Sequence, residues 1–116
     1  MEVSIRGRHL DLSEPLKAYA ARRLRFSVGA FHSRISGVEM RVEDVNGPRG
    51  GIDKQCVIAV LVRRVGYVFA RAMDSDAYSA VDRAAARIRA VPVRTLKRRR
   101  DPRRRHSAVV WLREAM

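Results

Sequence analysis

The sequence has little cysteine and no long apolar run, and both shortages bear on where the protein works. A single cysteine, Cys56, cannot form an internal disulfide, which fits a reducing compartment. The first residues, MEVSIRGRHLDLSE, lack the apolar core of a secretion signal. No apolar run approaches the roughly 18–20 residues that cross a bilayer. We therefore expect a soluble, cytoplasmic protein without a membrane partner.

The sequence also lacks the residue clusters on which enzymes and metal proteins depend. Its three histidines, His9, His32 and His106, are scattered without metal-ligand spacing, and one cysteine supplies no CxxC pair. The glycine-rich stretch NGPRGGIDK (46–54) has no GK[ST] ending, and an apolar run follows it where a phosphate loop opens a helix. We expect no enzyme activity, no cofactor and no metal.

Acidic residues are scarce beside basic ones. Lys and Arg number 25 against 12 Asp and Glu, which gives a formal net charge of +13, and arginine dominates the basic residues. This excess predicts a polyanionic partner, with nucleic acid favoured over an anionic membrane surface. Arginine suits such a partner because its planar guanidinium binds phosphate and stacks on bases.

Hydrophobic patterning predicts four strands. Residues 2–7, 36–43 and 67–72 alternate between apolar and polar side chains, and residues 55–62 form a continuous apolar run typical of a more buried strand. A short turn joins the last two strands, so they must be antiparallel. The last three strands are predicted to form an antiparallel meander to which the first strand is added.

Two helices are predicted between and after these strands. Ser13 is a suitable N-cap for a helix that ends near Gly29, and residues 74–76 supply caps for a second helix. Pro92 either kinks the second helix or ends it near Val91. The order β-α-β-β-β-α predicts one α+β domain, a two-layer sandwich with a four-stranded sheet and both helices on one face, as in double-stranded-RNA-binding domains. The predicted apolar stripe of the second helix is Tyr78, Val81, Ala84, Ala85 and Ile88.

Basic side chains recur on the helix faces that the apolar stripes leave exposed. A solvated charged face is the default interpretation of such side chains. Acids are missing from the same rows, however, and the rows lead into a basic run at 97–105, which favours one electropositive surface for nucleic acid. The predicted RNA-binding residues are Lys17, Arg22, Arg23, Arg25, Arg83, Arg87, Arg94, Lys97, Arg98, Arg99 and Arg100.

The type of nucleic acid is inferred from motifs that are missing. Nothing resembles a helix-turn-helix, a basic zipper or a zinc finger. The strands are predicted to lack the aromatic pairs with which an RRM stacks bases. A two-layer sandwich with basic helix edges favours structured RNA, recognised through its backbone and shape.

Two motifs resemble those of the ribosome hibernation promoting factors, also called ribosome-associated inhibitor A or ribosomal subunit interface proteins. Near the start, Ile5-Arg6-Gly7 and then Leu12-Ser13-Glu14-Pro15-Leu16-Lys17 are similar to the family's strand end and helix start. Later, Asp76-Ala77-Tyr78-Ser79-Ala80-Val81-Asp82 resembles the family pattern D-M/L-Y-A-A-I-D at the start of the last helix. The resemblance covers residues 1 to about 100.

The resemblance implies a function and roles for single residues. Members of the family bind the small ribosomal subunit between head and body, contact ribosomal RNA through basic residues of both helices, and block the messenger and transfer RNA sites when growth stops. By position, Arg23, Arg87 and Arg94 match commonly basic sites, while Tyr78 and Asp82 match residues expected to hold structure, with RNA contact as the alternative. The implied partners are the small subunit with its 16S-type rRNA and the 70S ribosome, and a weak homodimer is left open.

The chain also departs from the family pattern. Phe26 stands where the family often has Lys, and Pro92 lies inside what is usually a continuous helix. The tail is basic, and the residues after 100 are too few for the dimerising domain of long members. We expect a ribosome-binding domain over residues 1–96 and a basic tail with a short apolar end over residues 97–116.

Two other functions compete with ribosome hibernation. One is a general accessory domain for structured RNA, and the other is an interaction protein that modulates transcription or docks its tail on an acidic protein or membrane. Equal affinity for arbitrary duplex RNA and for the small subunit favours the first. Loss of binding on deletion of residues 97–116 favours the second.

Overall fold

The computed structural model describes residues 2–46 and 52–91, which form a four-stranded sheet with two helices on one face. This confirms the predicted α+β two-layer sandwich and its element order. No helix within these two ranges has the length and apolar content to cross a membrane. The elements are β1 (Glu2–Arg8), α1 (Glu14–Val28), a 3₁₀ helix (Gly29–Arg34), β2 (Ile35–Asp44), β3 (Lys54–Val62), β4 (Gly66–Asp74) and α2 (Ala77–Arg89).

The strands lie in the order β1-β2-β3-β4, with β1 parallel to β2 and the other neighbours antiparallel. The meander of β2, β3 and β4 is confirmed, and one register row pairs Met40 with Ile58 and Ile58 with Ala70. The first strand joins at the edge beside β2, with Ile5 opposite Met40. A parallel neighbour needs a crossover connection, and α1 supplies it.

The core lies between the sheet and the two helices. Alternating residues of the strands point to the helices, and Met40, Ile58 and Val60 are fully buried there. The predicted stripe of α2 is confirmed apart from Tyr78, which is 39% exposed. Small residues on β4 and α2 let this helix lie close to the sheet. The helix residues of the core are Leu16, Ala20, Leu24, Val28, Ala80, Val81, Ala84, Ala85 and Ile88.

Side chains cap both helices at their N-termini, as predicted. The Ser13 hydroxyl accepts a hydrogen bond from the Leu16 amide at 3.2 Å, and the Asp76 carboxylate accepts one from the Ser79 amide at 3.0 Å. Each cap satisfies an amide that has no partner within the helix. These caps fix where each helix begins and therefore which side chains share a face.

The second helix ends before Pro92. Its last residue is Arg89, Ala90 is the C-cap, and the Val91 amide donates to the Ile88 carbonyl at 3.3 Å. Of the two predicted alternatives, an end rather than a kink is therefore observed. A proline ring at position 92 clashes with the carbonyl of Ile88 in a continued helix, which explains this end.

The face of the sheet away from the helices carries an aromatic pair that the sequence interpretation missed. Tyr67 and Phe69 on β4 stack with ring centroids 6.1 Å apart, so the prediction that the strands lack such a pair is wrong. The predicted alternation of residues 67–72 places both rings on the face opposite Val68 and Ala70. Ion pairs cover β1 and β2 on the same face. They are Arg6–Glu39 at 3.6 Å, Arg8–Glu43 at 3.8 Å and Arg41–Glu43 at 3.6 Å.

Candidate nucleic-acid interface

The two helices lie side by side and run in the same direction. Later residues of α1 contact later residues of α2, and this order of contacts requires parallel helices. Both C-termini therefore lie at one end of the molecule, where basic side chains in the last turns offset the negative ends of the helix dipoles. The contacts are Tyr19–Tyr78 (ring centroids 5.1 Å), Arg23–Asp82 (Nε to Oδ1 3.0 Å) and Phe26–Arg89 (guanidinium carbon to ring centroid 4.5 Å).

A polar network joins the middle of the helix pair. The Tyr19 hydroxyl donates to Asp82 Oδ1 at 2.5 Å, and the Arg23 guanidinium lies 3.0 Å from the same oxygen. This hydrogen bond to Asp82 raises the pKa of Tyr19, and burial and the negative charge of Asp82 add to the effect. The Nε atom of Arg23 is buried and makes no aligned hydrogen bond, so the contact with Asp82 is an ion pair. Tyr78 and Asp82 thus hold the helices together.

Arg22 and Arg25 lie on the outward face of α1, opposite the core residues Ala20 and Leu24. Both are exposed, and neither forms an ion pair or hydrogen bond with a described residue. They are free to bind an anion. Lys17, by contrast, lies 3.4 Å from Glu14 and borders the loop after β1, away from α2.

Arg83 and Arg87 lie on the other flank of α2, against the edge strand β4. The Arg83 Nη1 donates to the Met73 carbonyl at 2.6 Å and lies 3.6 Å from the Asp74 carboxylate, and the Arg87 Nη1 donates to the Arg71 carbonyl. These carbonyls belong to the open edge of the sheet, which a second strand could otherwise pair with. The predicted single electropositive surface is therefore divided into an α1 group and a β4 group.

Two residues that the sequence interpretation did not place in the site lie between the helix C-termini. Phe26 is 59% exposed, and the Arg89 guanidinium covers part of its ring. The sequence feature that points to Phe26 is an aromatic residue on the outward face of the predicted helix, one turn after Arg22. A shallow cleft at this point is lined by Arg23, Phe26, Ser27, Ala86, Arg89 and Ala90.

Comparison with known proteins places this arrangement in a family. The family described as Sigma 54 modulation protein / S30EA ribosomal protein matches residues 3–101. The chain belongs to this family. No curated protein matches the sequence.

Two solved structures share the fold of this S30EA family member. A ribosomal subunit interface protein from Coxiella burnetii is 16% identical with a TM-score of 0.71, and the alignment covers 84% of this chain and 100% of that one. The Thermus thermophilus Protein Y N-terminal domain is 18% identical with a TM-score of 0.63, and the alignment covers 84% and 98%. At these identities the likeness concerns the fold.

The S30EA match extends over both helices and into the basic segment after them. Five predicted RNA-binding residues, namely Arg94, Lys97, Arg98, Arg99 and Arg100, lie outside the described residues. Within the described ranges, no group of three or more His, Cys, Asp or Glu side chains is arranged to hold a metal ion.

Proposed function

We propose that this protein binds the small ribosomal subunit through the backbone of its 16S-type rRNA, and that it does so in the cytoplasm. It binds at the decoding region of the free small subunit or of the 70S ribosome, and there it blocks the messenger and transfer RNA sites in stationary phase or stress. It acts as a translation inhibitor by occupying space, and it makes and breaks no covalent bond. Residues 1–96 form the binding domain, and residues 97–116 add positive charge.

One observation carries this proposal: Arg22 and Arg25 stand exposed on α1 with no carboxylate partner among the described residues, in a chain of net charge +13. Free guanidinium groups on a rigid helix bind phosphates without first breaking an ion pair. Family membership supports the ribosome as the source of those phosphates, because the family description names a ribosomal protein and a structure of the same fold is titled a ribosomal subunit interface protein.

The remaining predicted residues differ in how far other groups of the protein already hold them. Arg23 faces the cleft but is held by Asp82, and Lys17 is held by Glu14. Arg83 and Arg87 each use one donor on the β4 edge and keep the rest of the guanidinium for phosphate. We propose Arg22 and Arg25 as the principal contacts, and we assign supporting roles to Lys17, Arg23, Arg83, Arg87, Arg94 and Lys97–Arg100.

Co-sedimentation tests the proposal directly. The purified full chain is expected to pellet with 30S and 70S particles at low salt, to dissociate as salt rises, and to slow translation in a cell extract. Failure to pellet with either particle contradicts it. A comparable affinity for arbitrary duplex RNA supports the general RNA-binding alternative instead.

A matched pair of variants localises the contact. Arg25→Gln and Arg71→Gln each remove one positive charge from an exposed side chain, but Arg71 lies on the opposite face of the sheet. Arg25→Gln is expected to weaken 30S binding and to reduce the slope of log affinity against log salt by about 0.7–0.9, the share of one phosphate contact. Equal effects of the two variants show that net charge alone drives binding.

A further inference from the structure

Phe26 is a strongly exposed aromatic side chain on the helix side of the molecule. It lies in the last turn of α1 with 59% of its surface in contact with water. A single exposed apolar residue is ordinary on a protein surface. This one differs because a residue of the other helix holds it, since the Arg89 guanidinium carbon lies 4.5 Å from the ring centroid.

The surroundings of the ring leave room for a flat ligand. The cleft beside it is lined by the small residues Ser27, Ala86 and Ala90. The Ser27 hydroxyl donates to the Arg23 carbonyl at 2.8 Å, so it needs no partner from a ligand. An aromatic ring held from one side beside small residues is a stacking surface for a second ring.

The charges around Phe26 select an anionic ligand. Arg22 and Arg25 lie on the same exposed part of α1, and Arg89 lies across the cleft, and none of the three forms an ion pair with a described carboxylate. A ligand that combines a flat ring with phosphates fits both features. We propose that Phe26 and Arg89 form a stacking site for one unpaired RNA base, with the adjacent phosphates bound by Arg22 and Arg25. This inference rests on the proposed RNA-binding function and adds the kind of nucleotide that the site takes.

The aromatic pair on the other face of the sheet does not offer the same chemistry. Tyr67 and Phe69 also stack, and Arg71 lies on the same face of β4, but the arginines of β1 and β2 on that face are paired with Glu39 and Glu43. A phosphate chain that crosses this face from β4 meets those carboxylates, which repel it. The helix side therefore carries the inference.

Binding of labelled oligonucleotides to the full chain tests the site. The probes are a single-stranded uridine oligomer of about 12 nucleotides, the same phosphate chain with abasic sugars, and a duplex of the same length. Phe26→Ala is expected to weaken binding of the uridine oligomer about tenfold, a value within the range for one lost base–aromatic stack. It is expected to leave the abasic and duplex probes unchanged, because neither presents a free base.

Two further measurements separate stacking from other roles of Phe26. The salt slope on the uridine oligomer is expected to stay constant in Phe26→Ala and to fall by about 0.7 in Arg22→Gln, because only the second variant loses a phosphate contact. Phe26→Trp is expected to restore binding and Phe26→Leu to fail, since Leu has similar apolar bulk but no flat ring. Restoration by Leu identifies an apolar protein contact instead and overturns the stacking site.

The failure of this inference is distinguishable from failure of the proposed function. No measurable binding of the uridine oligomer by the unmodified chain, or an equal effect of Phe26→Ala on the uridine and abasic probes, overturns the stacking site. Neither result bears on co-sedimentation with 30S particles. Conversely, the chain can fail to co-sediment with 30S particles while Phe26→Ala still weakens binding of the uridine probe and not of the abasic probe. This result overturns the ribosomal assignment and supports the stacking site.

Discussion

Removal of the Asp82 carboxylate is expected to weaken the contact between the two helices. Asp82 accepts the hydrogen bond of Tyr19 at 2.5 Å and lies 3.0 Å from Arg23. A hydrogen bond to a charged group contributes about 1.5–3 kcal/mol. The ion pair adds less than about 1 kcal/mol, because the side chains of Arg23 and Asp82 are 35% and 42% exposed and the N–H is not aligned. Asp82→Ala should therefore lower the free energy of unfolding by about 2–3 kcal/mol.

Urea unfolding followed by circular dichroism measures this loss. Asp82→Ala raises the net positive charge by one, and self-repulsion alone can destabilise a basic protein. Asp11→Ala is the matched control because Asp11 is an exposed acid in the loop before α1, with no hydrogen bond or ion pair to a described residue. A double-mutant cycle of Asp82→Ala with Tyr19→Phe is expected to give a coupling energy of about 1–2 kcal/mol.

Titration of the tyrosine absorbance gives an independent measure. The hydrogen bond to Asp82 holds the pKa of Tyr19 above its ordinary value of 10.0, so the network stabilises the fold fully below pH 10 and loses that contribution as pH rises through the raised pKa. Asp82→Ala should return the pKa of Tyr19 towards 10.0. A stability equal to that of Asp11→Ala, or an unchanged tyrosine titration, refutes the role assigned to Asp82.

Three further predictions concern single positions. Burial raises the pKa of the Cys56 thiol to about 12, so the thiol should resist a thiol reagent at pH 8 until urea unfolds the chain. The contribution of the buried neutral thiol to stability should persist up to pH 9 and be lost as the pH rises towards 12. Gly7→Ala brings a Cβ into a steric clash with the Leu10 carbonyl oxygen and should lower the free energy of unfolding by about 1–3 kcal/mol in urea. Gly29→Ala meets nothing within 4 Å on a helical backbone and should raise the free energy of unfolding by about 0.4–1 kcal/mol. Ser13→Ala loses the N-cap of α1 and should cost about 1 kcal/mol in the same assay, while Ser13→Asp should retain the stability.

The sequence predicts most of the fold because the elements are specified locally. Alternation of Val38, Met40 and Val42 marks the buried face of β2, and Ser13 and Asp76 mark the helix starts. Periodicity and caps depend on neighbours within a few residues, so one chain is enough to detect them.

The candidate site is less predictable because its partners are distant in the chain. Tyr19 and Asp82 are 63 residues apart, and periodicity alone does not show that the outer edge of the α2 stripe faces α1. For the same reason Tyr78 was expected in the core, although its ring packs on Tyr19 at the helix contact. Arg89 was not predicted as a site residue either, because its place in the site depends on contact with Phe26 of the other helix.

The ion pairs reduce the number of positive charges on the helices that are free to neutralise RNA phosphates. A count of basic side chains treats every cation as one released counterion. Arg23, however, is paired with Asp82, and Arg83 lies 3.6 Å from the Asp74 carboxylate, so a carboxylate already offsets part of each positive charge before a phosphate binds. Arg22 and Arg25 have no carboxylate partner among the described residues. The described helices should therefore contribute a salt dependence closer to that of the unpaired arginines than to that of the whole predicted set, and a steeper measured dependence indicates contacts by basic residues outside the two helices.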